Sequence, residues 1–143
     1  MWKDTIHSIS SNLSLKNPAT KDELTDIQKC LHVELPNDLY QLLQETNGIE
    51  GEYGDFIWSA SKIKTENMSM RNIVDFKDLY MPFDCLLFFA DGGNGDLFGY
   101  SILNGKVQRD DIYVWNHEND SRTWVAPSLK TFMEWWESGK III

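Results

Sequence analysis

Basic residues are scarce in this chain. Thirteen lysines and arginines stand against 22 aspartates and glutamates, a formal net charge of −9. Phosphate backbones are held by clustered Lys and Arg, so the deficit argues against a general nucleic-acid binder. Cysteine is scarcer still. Cys30 and Cys85 lie in apolar contexts without CxxC spacing, which reads as two buried free thiols in a reducing cytoplasm rather than a disulfide or metal site. No apolar run approaches the roughly 20 residues that span a bilayer. The opening MWKDTIHSIS lacks the long apolar stretch and small-residue cleavage site of a secretory signal. The expectation is a cytoplasmic protein.

Catalytic signatures are missing as well. His7, His32 and His117 are far apart and show no HExxH spacing. His117 stands beside Glu118, where it could serve as acid or base, but no GxSxG or cysteine nucleophile motif accompanies it. Asp110 and Asp111 are adjacent, and neighbours on a strand point to opposite faces, which does not suit a glycosidase pair. The segment Asp91-Gly92-Gly93-Asn94-Gly95-Asp96 is rich in glycine, yet it lacks the Lys of a P-loop and is followed by a strand pattern rather than a helix. Asp91, Asn94 and Asp96 offer hard oxygen ligands for calcium, but EF-hand spacing and the distal Glu are absent. The turn reads as a reversal between two buried strands, with Gly95 supplying positive φ. No catalytic residue, metal or cofactor is assigned, and the expectation is that the protein is not an enzyme.

What the chain does have is core material. At 42% hydrophobic and 13% aromatic over 143 residues, it suits a single domain spanning 1–143. Trp2, Ile6, Ile9 and Leu13 recur on one helical face. Thr20 and Glu23 form a capping box ahead of Leu24, Ile27 and Leu31. Leu35-Pro36 starts a third helix with Leu39, Leu42 and Leu43 as its stripe, ended by Asn47-Gly48. Phe56–Trp58 reads as a strand, and residues 61–74 as a helix with Ile63, Met70, Ile73 and Val74 inward. Leu86–Ala90 is an unbroken apolar run, expected to be a strand covered on both sides. Leu97–Ile102 and Ile112–Trp115 follow as strands. Asn104-Gly105 signals a hairpin whose partner strand begins at Lys106–Val107. Ser128 caps a last helix carrying Leu129, Phe132, Met133 and Trp136. Short strands joined by tight turns, with helices segregated from them, predict an α+β fold: a mostly antiparallel sheet packed against helices.

The acids concentrate in the middle of the chain. Residues 50–120 carry thirteen acids and six bases. They gather at turns, as Glu50, Glu52 and Asp55, then Asp91 and Asp96, then Asp110 and Asp111, then Glu118 and Asp120. If these converge, they form a negative face for a basic partner. Trp58 and Trp115 fall at strand ends beside these acids, where an aromatic could act either as an interface anchor or as a half-buried sheet residue.

Several segments in order resemble the SUKH superfamily, whose founding eukaryotic member is a yeast cell-wall synthesis regulator. KDELTDIQKCLHVELPNDLYQLLQETNGIEG is similar to its helix, "LP" connector and helix ending in "NG". FIWSASKI, LLFFADGGNGDLFGYSI, and IYVWNHEN followed by APSLKTFMEWWESG resemble its later strands and closing helix. The match runs over roughly residues 20–139, and the 75–84 segment is poorly matched. The resemblance implies an α+β fold and a protein-binding role. Many bacterial members are immunity proteins that neutralise a cognate toxin, often a nuclease; the alternative for this chain is a regulatory or scaffold module resembling the eukaryotic member. The charge and the resemblance together select the first role. The expected partner is a toxin with a basic nuclease domain. Its expected contacts are Glu50, Glu52, Asp55, Trp58, Asp110, Asp111, Trp115, Glu118 and Asp120.

Overall fold

The computed structural model describes residues 1–76 and 78–143. In chain order the elements are α1 (Trp2–Ile9), β1 (Ser14–Leu15), α2 (Lys21–Leu31), α3 (Asn37–Glu45), β2 (Ile49–Gly51), β3 (Gly54–Ile57) and α4 (Ala60–Asn72). A 3-10 turn at Val74–Phe76 leads to β4 (Leu86–Asp91), β5 (Leu97–Ser101), β6 (Ile112–Trp115), β7 (Arg122–Ala126) and α5 (Leu129–Glu137). The strands form two antiparallel sheets, β1-β2-β3 and β4-β5-β6-β7. This is the expected α+β class.

Local chemistry accounts for the helices. The Thr20 hydroxyl accepts from the Glu23 amide while the Glu23 carboxylate accepts from the Thr20 amide, completing the capping box at α2. Leu24, Ile27 and Leu31 on α2, and Leu39, Leu42 and Leu43 on α3, are buried. Helix α1 has no side-chain cap of its own. Glu45, at the end of α3, supplies one by accepting from the amides of Trp2 at 3.0 Å and Lys3 at 3.1 Å. Serines 59 and 128 cap α4 and α5.

The core lies between the helices and the sheets. Phe89 packs on Tyr100 and Phe132 on the α5 side. Phe88 packs on Phe83 and Trp115 on the other side. Strand β4 is therefore covered on both faces, as its apolar run predicts. In hydrogen-bonding order, however, it is an edge strand, and the edge is closed in two ways. The Trp58 amide, just past β3, donates to the Phe89 carbonyl at 2.9 Å and so joins the two sheets by one backbone bond. Beside it, Asn67 of α4 imitates a strand. Its Oδ1 accepts from the Phe88 amide at 2.8 Å and its Nδ2 donates to the Phe88 carbonyl at 2.8 Å. One turn further along, Arg71 Nη2 donates to the Leu86 carbonyl at 3.2 Å. Ile63, Asn67 and Arg71 follow the four-residue spacing that puts them on one helix face. That face protects an edge that would otherwise expose unpaired backbone groups.

Several expectations are corrected here. Helix α4 ends at Asn72, so Val74 points outward and is 72% exposed, while Met70 is only partly buried. The inward position belongs to polar Asn67. Asn104-Gly105 makes a single bridge, Leu103 to Lys106, and no strand. Strands β1, β2 and β7 were not foreseen. The cysteines are free but not buried: Cys30 is half-buried and Cys85 exposed. No helix among the described residues is long and apolar enough to cross a membrane.

Candidate partner-binding surface

Three turns meet at one end of the sheets. The first is the β2–β3 hairpin, in which Gly51 pairs with Gly54 and the tip is Glu52-Tyr53. The second is the Asp91–Asp96 turn, and the third is the loop from Asn116 to Ser121. Packing fixes them to one another. Lys62, in the first turn of α4, reaches Asp55 at 3.0 Å and Asp91 at 3.8 Å, tying hairpin to turn. Asp96 tethers turn to loop, because its Oδ1 lies 2.6 Å from His117 Nδ1 and accepts from the His117 amide at 3.1 Å. Gly95 sits against that ring at φ +101, and a Cβ there would meet His117 Cε1 at 3.0 Å. Its role is to let the turn close on the loop.

Several of the acids at these turns are engaged inside the protein. Trp58 Nε1 donates to Asp91 Oδ2 at 2.8 Å, and the Gly93 amide donates to Asp91 Oδ1 at 3.0 Å. Asp120 accepts from Trp115 Nε1, Arg122 Nη2 and the Met81 amide. Burial works to raise the Asp120 pKa, but these three donors outweigh it and hold the carboxyl below its usual range. Asp55 is paired with Lys62, and Lys16 lies 4.0 Å away.

Both tryptophans expected at the interface are core residues. Trp58 is 1% and Trp115 4% exposed, so neither presents a face to a partner. Their adjacency to acids arises because a buried indole N–H needs an acceptor, and Asp91 and Asp120 supply it. The acids do not all converge either. Asp110 and Asp111 precede β6, whereas Glu118 and Asp120 follow it, so the strand sets them about 13 Å apart. Asp111 is occupied with Trp124 Nε1 at 3.0 Å and Arg109 Nε at 3.2 Å.

What remains accessible at the shared end is Glu50, Glu52 and Glu118, all exposed, together with Tyr53 at 96% exposure. Glu50 makes only a 3.6 Å ion pair with Lys16. Tyr53 is the aromatic that sequence reasoning missed. A two-residue hairpin tip has no room to fold its side chains inward, so the spacing Gly51-Glu52-Tyr53-Gly54 was the available signal. Beside the tip lies a cleft of about 400 Å³, lined by Glu52, Tyr53, Asp55, Asp91, Trp136 and Glu137. Among the described residues, no group of three or more His, Cys, Asp or Glu is placed to hold a metal ion.

The Asp96–His117 pair makes a testable contribution to stability. Burial raises the Asp96 pKa, but hydrogen bonds from the His117 ring and amide prevail, and the carboxyl sits below its ordinary range. A lowered folded pKa gives stability that exists above the unfolded value, about 3.9, and is lost as pH falls through the folded one. Wild type should therefore outlast Asp96→Asn near pH 5, with the gap closing as pH falls below the unfolded value and the native carboxylate in turn protonates. Urea midpoints across that window measure it. A gap that does not change with pH would remove the carboxylate charge from the account.

The family assignment agrees with this architecture. The SUKH_6 family model, described as SMI1-KNR4 cell-wall, matches residues 21–133. The chain belongs to the SUKH family. No curated protein matches it.

Proposed function

We propose that this SUKH protein is a cytoplasmic immunity protein. It binds a cognate toxin, a basic nuclease domain, and neutralises it by masking the active site or substrate groove. It performs no chemistry of its own, and it needs neither cofactor nor contact with nucleic acid or membrane. The observation that carries the reading is the β2–β3 hairpin tip, where Tyr53 is 96% exposed beside Glu50 and Glu52. A nuclease must hold a polyanion and therefore lines its cleft with Lys and Arg, and an acidic end competes for those groups. An exposed aromatic amid charge is the kind of residue that anchors a protein interface.

Co-expression with the product of the neighbouring gene, followed by binding kinetics over a salt series, tests this. Glu50→Lys with Glu52→Lys should slow association, most strongly at low salt, where the Debye length exceeds about 10 Å. Tyr53→Ala should hasten dissociation by about tenfold or more. Reversing Asp110 and Asp111, at the other end of β6, should change neither rate appreciably. Salt-independent association that tolerates the hairpin reversals would overturn the reading.

A further inference from the structure

A second surface lies beside the 3-10 turn. Val74, Leu79 and Met81 are 72%, 67% and 58% exposed, three large apolar side chains within eight residues. Met81 lines a groove of about 340 Å³ whose apolar walls include Met70, Ile73, Phe76, Tyr80 and Phe83, and Val74 and Leu79 adjoin these wall residues in sequence. That volume accommodates one or two aliphatic or aromatic side chains, at the small end of ligand pockets.

The floor is rigid. Tyr80 and Phe83 each meet Trp115 edge-on at 5.1 Å, and Phe76 meets Tyr80 at 5.1 Å. Tyr80 is further fixed by its hydroxyl, which donates to the His117 carbonyl at 2.9 Å, and the Met81 amide donates to Asp120. A pre-formed pocket spares a ligand the cost of ordering it. Among the described residues, the charged groups around it are acidic on balance. Asp84 lines the groove, and Asp75 and Asp78 are exposed on the segment that walls it. None of the three forms an ion pair with another described residue. Of the described cations nearby, Arg71 lines the groove as well and offsets Asp84, while Arg122 is paired with Asp120.

We propose that this groove is a docking site for a short segment of a basic protein partner, one that inserts an apolar side chain and flanks it with Lys or Arg. The apolar insertion accounts for the groove and for exposed Leu79 and Met81, and the flanking bases account for Asp75 and Asp78. This deepens the immunity reading and rests on it for the basic character of the partner.

The test titrates the full ¹⁵N-labelled chain with a synthetic twelve-residue peptide holding a Leu-Phe pair between lysines. Two control peptides carry Glu for Lys, or Ser for Leu and Phe. Saturable amide shifts at Met70, Ile73, Phe76, Tyr80 and Phe83 are expected, with binding at least tenfold weaker for either control. The Leu79→Ser/Met81→Ser double variant alters only exposed side chains and keeps the Met81 amide bond to Asp120. It should melt like wild type and also bind at least tenfold more weakly. Absence of saturation, shifts confined to other residues, or equal binding by either control overturns the proposal. So do shifts that depend on protein concentration without peptide, which would assign the groove to a second copy. The complex with the neighbouring gene's product separates the two claims. If the complex forms and the double variant leaves its affinity unchanged, the groove fails and the immunity reading stands. If no complex forms, the immunity reading fails and the peptide titration alone decides the groove.

Discussion

Asn67→Leu should unfold the protein or bring it close to unfolding. Leu keeps the branching and heavy-atom count of Asn and is bulkier, so no cavity opens, and the cost comes chiefly from what is stranded. The Phe88 amide and carbonyl, both deep beside α4, lose their partners at once. A buried backbone group left without a partner costs about 1–3 kcal/mol, so the pair amounts to about 2–6 kcal/mol against a total stability of about 5–15. Urea denaturation followed by circular dichroism reads the loss. Hydrogen exchange locates it, because protection should fall first at Phe88. A Leu variant within about 1 kcal/mol of wild type would mean that water or a shifted β3 can replace the amide on the β4 edge.

Trp115→Ala is the second large effect, and it separates the two roles open to this residue from sequence alone. The ring is 4% exposed and touches Tyr80, Phe83 and Phe88, with its N–H on Asp120. Removing a buried Trp costs about 3–5 kcal/mol, because the lost transfer energy is joined by a cavity that a close-packed site fills only in part. The variant should therefore melt far below wild type and lose partner binding only in proportion to its unfolded fraction. Trp115→Phe keeps ring packing and should recover part of the loss. A Trp115→Ala protein that melts like wild type but no longer binds would return this residue to the interface.

Helices α2, α3 and α5 were legible because their apolar residues keep one face, and α2 and α5 also spell out their caps, as in Thr20-x-x-Glu23. Helix α4 was only half legible. Asn67 occupies the inward position one turn after Ile63, and a polar residue there breaks the periodicity on which the reading depends. The apparent stripe was thus displaced onto Met70, Ile73 and Val74. Strand β7 escaped notice because RTWVA has one solvent-facing side and lies at the sheet edge, with Trp124 48% exposed. The acidic turns were correctly located, but their use was not. Asp beside Trp in a sequence describes two situations equally well, a charged rim around an exposed anchor or an acceptor for a buried indole. Only the third dimension distinguishes them. It turns Trp58 and Trp115 inward and leaves Tyr53 outside.

The strand order β4-β5-β6-β7 follows the chain order without a crossover. Each pairing therefore closes a short loop and loses little chain entropy, whereas the Trp58–Phe89 bond and the Asn67 contacts must draw in a separate segment. Assembly should begin in the stretch from Leu86 to Ala126, with the N-terminal helices and the small sheet docking onto a meander already formed. On that order, Val114→Ala would slow refolding, while Ile6→Val in α1 would mainly speed unfolding, a difference that stopped-flow rates for the two variants would reveal.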